Sequence, residues 1–140
     1  MEREILFRGI DAHYNLENGH SENVWRLGNL VSCENGDFCI KSNPKAYGYG
    51  SLTDKVISTS IGQFTGVYDK NGTKIFDGDI IKGKRPYGEF WIVKWDKKRC
   101  GFFLSGLRKC DFAAYDKGYK INSGRNEVIG NIHDNKELLK

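Results

Sequence analysis

In "VWRLGNLVSCENGDFCIK", residues 24–41, two apolar runs flank the dipeptide Asn35-Gly36. Asn-Gly tolerates φ > 0 at both central positions of a two-residue β-turn, which makes it a strong short-range signal for a hairpin. The pattern therefore predicts two antiparallel strands that are joined at Asn35-Gly36.

A two-residue loop fixes which side chains share a face of this first hairpin. Cys33 is predicted to pair with Phe38 and Val31 with Ile40, and directly paired residues lie on the same face of a sheet. Cys39 is then expected on the opposite face, away from Cys33. One face is apolar and the other is polar, as in a sheet that packs on a core with one side only.

Residues 62–83, "GQFTGVYDKNGTKIFDGDIIKG", follow the same logic. In residues 69–72, Asp suits the first position of a type I turn and Gly suits the left-handed residue of a β-bulge. Strands are therefore expected at 64–68 and 73–76, and Asp77-Gly78 predicts a further bend. No Lys-Ser or Lys-Thr pair follows these glycines at the spacing of a phosphate-binding loop, so we assign them to turns.

Two further apolar segments, 88–96 and 101–106, predict a third hairpin. Alternation along the first segment places Trp91, Val93 and Trp95 on one face. Large side chains also occupy the other face. A strand with this pattern is typical of a central position in a sheet or of a subunit interface.

The predicted fold class is mainly β. The 140 residues include 17 Gly and 2 Pro, a composition typical of many short strands and tight turns. A last strand is predicted at 126–134 and a final helical turn at 135–140, and no long apolar stripe of helical period occurs. We expect a small, strongly bent antiparallel sheet or open barrel built from hairpins, with little helix, as a single domain over residues 1–140.

The composition and the N-terminal residues predict the solubility and the cellular location of the protein. An apolar content of 39% with 13% aromatic residues suits a globular protein. Charges flank the short apolar run in "MEREILFRGID" (1–11), so we expect neither a signal peptide nor a membrane span. A soluble, cytoplasmic protein is predicted, with its four cysteines as reduced thiols.

Four blocks, spread over nearly the whole chain, carry a family resemblance. They are "REILFRGID" (3–11), "WRLGNL" (25–30), "TSIGQFTGVYDKNGTKIFDGDIIKG" (59–83) and "EVIGNIHDNKELL" (127–139). In this order they resemble the YopX-like family of small phage and prophage proteins. The resemblance implies a mainly β fold, carriage by a bacteriophage or an integrated prophage, and a place in the cytoplasm of the bacterial host. It implies no established activity and brings no catalytic residues.

No catalytic or metal-binding cluster is predicted. The cysteines form no C-x-x-C pair. Since Cys33 and Cys39 are expected on opposite faces of the first hairpin, they should neither form a disulfide nor share a zinc ion. Asp77 and Asp79 are better explained as turn residues, whose carboxylates accept backbone N–H bonds, than as a catalytic pair. We therefore expect no metal, no cofactor and no enzymatic activity.

The charge distribution predicts an anionic partner. The net charge is +4, but Lys and Arg are concentrated between residues 82 and 125, and the segments on either side are net acidic. A basic hairpin region at 82–109 is therefore the candidate nucleic-acid-binding site. Its candidate residues are Lys82, Lys84, Arg85, Lys94, Lys97, Lys98, Arg99, Arg108 and Lys109.

The aromatic side chains of this region decide how it would bind. Trp91, Trp95, Phe102 and Phe103 are either core residues, as most large aromatics are, or exposed platforms for stacking on bases. A second hypothesis makes the same region a contact for a host or phage protein, or for a second copy of the chain as a homo-oligomer. The salt dependence of the affinity distinguishes the two hypotheses. Phosphate binding weakens steeply as the ionic strength rises, whereas the affinity of an apolar interface changes little.

Overall fold

The structure, a computed structural model, describes residues 3–33, 35–42, 53–83, 90–106, 121 and 126–139. Its strands are β1 (Phe7–Ile10), β2 (Trp25–Ser32), β3 (Phe38–Lys41), β4 (Thr53–Val56), β5 (Gly62–Tyr68), β6 (Lys74–Phe76), β7 (Asp79–Lys82), β8 (Phe90–Asp96), β9 (Gly101–Gly106) and β10 (Glu127–Asn131). Short 3₁₀ turns occur at Leu16–Asn18, Ser58–Ser60 and Lys136–Leu139. Within these ranges no helix has the length and apolar character of a membrane span.

The strands form two antiparallel sheets, which confirms the mainly β prediction. One sheet has the strand order β4-β3-β2-β1-β5-β6 and the other has the order β10-β7-β8-β9. Neither sheet closes into a barrel within the described ranges. The chain divides into two compact units, Met1–Phe64 and Thr65–Lys140, and β5 contributes residues to both. A single domain over residues 1–140 stays a prediction.

The sheet of the first unit is strongly bent. Beyond β1, Asp11 forms a bridge with Val56 of β4, although β2 and β3 separate β1 from β4 in the sheet order. The Ile57 amide donates to the Ile10 carbonyl at 2.9 Å, next to this bridge. The bend encloses the apolar core of this unit. Its buried apolar side chains include Ile10, Ile40, Val56 and Phe64.

Two glycines permit the close approach of strands that the bend requires. A Cβ atom at Gly9 would lie 2.9 Å from the Cβ of Val56, and a Cβ atom at Gly28 would meet the backbone carbonyl oxygen of Lys41. Side chains at either position would push a neighbouring strand away. The Gly in "WRLGNL" is therefore explained by the packing of β2 on β3.

Asp11 orders the connection between β1 and β2. Its buried carboxylate accepts hydrogen bonds from the amides of His13 at 2.8 Å and Tyr14 at 3.0 Å, and from Arg26 Nε at 2.9 Å. Burial raises the pKa of Asp11, but the bonds from Tyr14, His13 and Arg26 outweigh burial and hold the pKa below its usual value. The carboxylate is therefore a charged structural group.

The second unit is built around one apolar cluster. Its buried members are Ile75, Ile81, Trp91, Val93 and Leu104, and Val67, Phe102, Ile121 and Val128 pack against them. These side chains come from β5 to β10 and from one residue outside the strands. The cluster therefore holds together the strands of this unit.

The predicted turn at 69–72 is confirmed. The Gly72 amide donates to the Asp69 carbonyl at 3.1 Å, and the Asp69 amide donates to the Thr73 carbonyl at 2.8 Å. Gly72 has a φ of 81°, so it occupies the left-handed position of a bulged turn. The flanking strands β5 and β6 lie where the sequence predicts them.

The predicted register of the first hairpin is wrong by one residue. Val31 pairs with Cys39, and Ser32 pairs with Phe38, whereas a two-residue loop would pair Val31 with Ile40. The shift moves every side chain of one strand to the other face relative to its partner.

The cause of this shift is the loop between β2 and β3. The Cys33 amide donates to the Asp37 carbonyl at 2.8 Å, and the Gly36 amide donates to the Cys33 carbonyl at 3.1 Å. Gly36 has a φ of 82°. Three residues thus separate Cys33 from Asp37, and these bonds repeat the bulged turn of residues 69–72.

The new register also corrects the position of the cysteines. Cys33 and Cys39 lie on the same face of the hairpin, and their Sγ atoms are 2.8 Å apart. The expectation that the two thiols point away from each other is therefore wrong.

The last predicted strand ends earlier than expected. β10 stops at Asn131, whose Oδ1 accepts hydrogen bonds from the amides of His133 at 3.0 Å and Asp134 at 2.9 Å. These bonds turn the chain away from β7. The helical turn that follows agrees with the prediction for residues 135–140.

Candidate nucleic-acid interface

The third hairpin, β8–β9, holds the candidate cations at its turn. Asp96 and Gly101 form its last pair. The Asp96 Oδ1 atom accepts hydrogen bonds from the amides of Lys98 at 2.9 Å and Arg99 at 3.4 Å, and Cys100 adopts a left-handed φ of 53°. One aspartate therefore fixes the backbone of the turn and leaves the side chains of its cations at the surface.

Three consecutive cations, Lys97, Lys98 and Arg99, are exposed on this turn. Arg99 Nε lies 3.6 Å from Asp96 Oδ2, and the Arg99 side chain is 61% exposed. Ion pairs of this kind at the surface contribute about 0–1 kcal/mol, so Asp96 adds little to the stability of the protein through this pair. We name Trp95, Lys97, Lys98 and Arg99 the basic tip.

Trp95 is the exposed aromatic residue beside these cations. Trp91, Val93 and Trp95 share one face of β8, as predicted, but their burial differs. Trp91 is 6% exposed and Val93 is fully buried, because both belong to the apolar cluster, whereas Trp95 is 48% exposed. Its ring meets Phe102 edge to face, with centroids 5.0 Å apart. That contact holds the indole in place while nearly half of it faces solvent.

The remaining aromatic candidates divide between core and surface. Trp91 is a core residue. Phe102 is half-buried and packs against the apolar cluster. Phe103 is also half-buried and pairs with Lys94 across the hairpin. Of the four candidates, Trp95 is therefore the one with a face available for stacking.

Two described cations lie away from the basic tip. Lys94 is exposed, but strand alternation places it on the face opposite Trp95. Lys82 pairs with Phe90, at the end of β8 that is roughly 20 Å from Asp96 at about 3.3 Å per residue. Their role in binding stays a prediction. Lys84, Arg85, Arg108 and Lys109 lie outside the described residues.

The carboxylates that could suggest catalysis belong to turns. Gly78 has a φ of 88°, which confirms the bend predicted at Asp77-Gly78. Asp79 is 1% exposed, and its Oδ2 accepts a hydrogen bond from the Phe76 amide at 2.7 Å. This carboxylate therefore closes the turn between β6 and β7.

The thiol pair Cys33–Cys39 is a titratable cluster that the sequence analysis missed. Its signal was present in the chain, because "CENGD" (33–37) and "DKNGT" (69–73) place Asn-Gly at the same positions of a five-residue segment. Treating both segments as the same bulged turn would have given the observed register and brought the two sulfurs together.

Comparisons with known proteins give a family for the chain. No curated protein matches it. Among solved structures it is similar to the crystal structure of protein EF1440 from Enterococcus faecalis, with 25% identity, coverage of 99% of this chain and 100% of that chain, and a TM-score of 0.49. The model of the YopX protein family matches residues 18–140, a span that includes three of the four blocks quoted above. The chain belongs to the YopX protein family.

Proposed function

We propose that this chain is a non-enzymatic binding protein that contacts nucleic acid through the basic tip. The observation that carries the proposal is the exposed Trp95 beside three consecutive exposed cations on one hairpin turn. Cations hold phosphates, and an exposed indole offers a face on which a base stacks. The basic tip combines both within five residues of chain, 95–99.

Single-stranded nucleic acid suits the basic tip better than a duplex does. The bases of a duplex are stacked on each other, so their faces are closed to an indole, whereas single strands present them. Stacking on one aromatic side chain contributes about 1–3 kcal/mol per base. We therefore infer that Trp95 supplies the preference for single strands and the cations supply the salt-dependent part of the affinity.

The family supports a setting for this activity. We propose that the protein acts in the cytoplasm of a bacterium, where a phage or prophage carries its gene. A role in binding rather than catalysis is supported by Asp79, the buried member of the Asp77–Asp79 pair, because its carboxylate serves a backbone amide. Enzymatic activity is not part of this proposal.

The alternative proposal is a protein-binding or self-assembling accessory module. Trp95 favours it as well, because Trp and Arg are enriched among the residues that dominate protein interfaces. The partner would be a host or phage protein, or a second copy of the chain. In that case the affinity would depend on the apolar contact of Trp95 and change little with salt.

The deciding experiment is fluorescence anisotropy of labelled single-stranded and double-stranded DNA and RNA titrated with the protein at several salt concentrations. We expect saturable binding to single strands, with a logarithm of affinity that falls linearly with the logarithm of salt concentration. Lys97→Glu with Lys98→Glu should weaken binding at least tenfold and reduce the salt slope by roughly 1.4, since each phosphate contributes about 0.7 for single strands.

A matched variant controls for total charge. Lys41→Glu with Lys136→Glu makes the same charge change at exposed lysines outside the basic tip, and it should leave the salt slope unchanged. Equal losses in both variants would show that binding depends on net charge alone and would contradict the placement. Absence of binding at low salt would remove nucleic acid and leave the protein-binding alternative, which pull-down and light scattering can test.

A further inference from the structure

Two thiols meet on one face of the β2–β3 hairpin. In the observed register Val31 pairs with Cys39, and Cys33 faces Asp37 through the hydrogen bond that closes the loop. Cys33 and Cys39 therefore lie on the same face, because side chains two residues apart on a strand point the same way. Their Sγ atoms are 2.8 Å apart, and both are free thiols.

The two sulfurs differ in accessibility. Cys33 is half-buried and Cys39 is buried. Lys55 of β4 pairs with Cys39 and forms an ion pair with Asp37 at 3.1 Å. The hydrogen bond with Cys33, burial, and the charges of Cys33 and Asp37 raise the pKa of Cys39 to about 11, and Lys55 opposes them only in part. Cys33 is therefore the accessible nucleophile, and Cys39 is a protonated thiol behind it.

We propose that Cys33 and Cys39 are a redox-active dithiol, which a small-molecule disulfide oxidises to a covalent bond between the ends of β2 and β3. The sulfurs of a disulfide lie about 2.05 Å apart, so the facing thiols need only a small closing movement. In the described ranges no group of three His, Cys, Asp or Glu side chains could hold a metal ion.

The reaction is a thiol–disulfide exchange in two steps. The Cys33 thiolate attacks one sulfur of the small disulfide, and the other half leaves as a thiolate that takes up a proton. Cys39 then loses its proton to water, attacks the Cys33 sulfur, and expels the second half as a thiolate. The two cysteines lose two electrons and two protons, and the small disulfide is reduced to two thiols.

The bond would act mainly on the hairpin. It closes a ring around residues 34–38 and attaches β3, which contains the fully buried Ile40, to the end of β2. Short rings remove little entropy from the unfolded chain. Oxidation should therefore suppress local opening of the hairpin more than it raises global stability, and amide hydrogen exchange of Phe38 and Cys39 would report this difference.

The test uses the full chain with Cys100→Ser and Cys110→Ser, so that only the proposed pair can react. The protein is incubated with rising ratios of oxidised to reduced glutathione, and the reaction is quenched with acid. The mass of the intact protein is then measured by mass spectrometry. We expect one transition to a species about 2 Da lighter, without a glutathione adduct. Digestion should give a Cys33–Cys39 cross-linked peptide, and dithiothreitol should reverse the change.

Two variants assign the steps. In Cys39→Ser a glutathione adduct should accumulate on Cys33, because no second thiol expels it. In Cys33→Ser the remaining thiol should react at least about tenfold more slowly than the parent pair, because Cys39 is buried and burial disfavours the thiolate. A lasting adduct on the parent protein, or thiols that react only after unfolding in urea, would overturn the proposal. If a serine variant does not fold, peptide mapping of the unmodified chain decides between bond and adduct.

Discussion

The carboxylate of Asp69 accepts a hydrogen bond from the amide of Val128 at 3.0 Å, although 59 positions separate the two residues in sequence. The same carboxylate accepts hydrogen bonds from the amides of Asn71 at 2.8 Å and Thr73 at 2.9 Å. One buried side chain therefore closes the turn between β5 and β6 and attaches it to β10.

This arrangement predicts loss of stability in acid. Burial raises the pKa of Asp69, but the amides of Val128, Thr73 and Asn71 and the charge of Lys70 outweigh it, so the pKa lies below the ordinary value of 3.8. A carboxyl group whose pKa is lowered by folding stabilises the protein above its unfolded-state pKa, and this contribution is lost as the pH falls through the folded-state pKa. The free energy of unfolding should therefore decrease below about pH 4.

Asp69→Asn tests this contribution directly. The variant keeps an oxygen acceptor but loses the charge, so we expect the free energy of unfolding at neutral pH to fall by about 1–3 kcal/mol. The deficit relative to the parent should shrink as the pH falls through the folded-state pKa of Asp69, because the parent carboxylate then loses its charge. Urea unfolding at a series of pH values measures both effects. Glu22→Gln, at an exposed position, is the control, and a deficit for Asp69→Asn that is constant with pH would contradict the assignment.

Gly28→Ala tests the close approach of β2 to β3. The added methyl group would meet the Lys41 carbonyl oxygen, so we expect a loss of at least about 2 kcal/mol in the free energy of unfolding. Gly36→Asn is the matched control, because nothing lies within 4 Å of a Cβ atom there and Asn tolerates the left-handed conformation. Urea unfolding should separate the two variants, and equal losses would show that contact with Lys41 is unimportant.

Val93→Ala tests the apolar cluster of the second unit. Val93 is fully buried, so its truncation should lower the free energy of unfolding by about 2 kcal/mol through lost burial and a residual cavity. Lys94→Ala changes the next residue of the same strand, which is exposed, and should change stability by less than about 0.5 kcal/mol. Thermal and urea unfolding provide the comparison, and similar losses would argue that strand propensity rather than burial governs this position.

Trp95→Ala tests the stacking part of the proposed interface. Affinity for single-stranded DNA or RNA should fall by roughly 5-fold to 150-fold, the equivalent of about 1–3 kcal/mol. Trp95→Phe keeps an aromatic face and should retain most of the affinity. Anisotropy titrations measure the binding, and urea unfolding checks that each variant is folded. An alanine variant that binds like the parent would show that the cations act without a stacked base.

The turns were the most predictable part of the fold. At residues 69–72 the sequence pattern predicts both the turn type and the left-handed Gly72, because Asp and Gly each suit one position of that turn. At Asn35-Gly36 the same dipeptide fits a two-residue and a three-residue loop. The two-residue loop separated the side chains into one apolar and one polar face and was therefore favoured, so the observed register and the contact between Cys33 and Cys39 were missed.

The sequence predicted which residues form the candidate site, but it did not predict which of their side chains are exposed to solvent. Alternation correctly groups Trp91 with Trp95, yet it does not show where along β8 the apolar cluster ends. The end of the apolar cluster along β8 depends on strands that are distant in sequence, such as β10. Because the cluster ends between Trp91 and Trp95, Trp91 is a core residue and Trp95 faces solvent. Strands β1 and β4, with four residues each, are too short for a periodic pattern to reveal them.

The position of β10 also orders events while the chain is being synthesised. β10 pairs with β7, on the side opposite β8, so one edge of β7 stays unpaired until Glu127–Asn131 have left the ribosome. Elongation at about 5–20 residues per second makes this interval a few seconds long. During it Asp69 lacks its bond from Val128, and the exposed edge of β7 can pair with other nascent chains. A chaperone that covers strand edges would protect the protein in this interval.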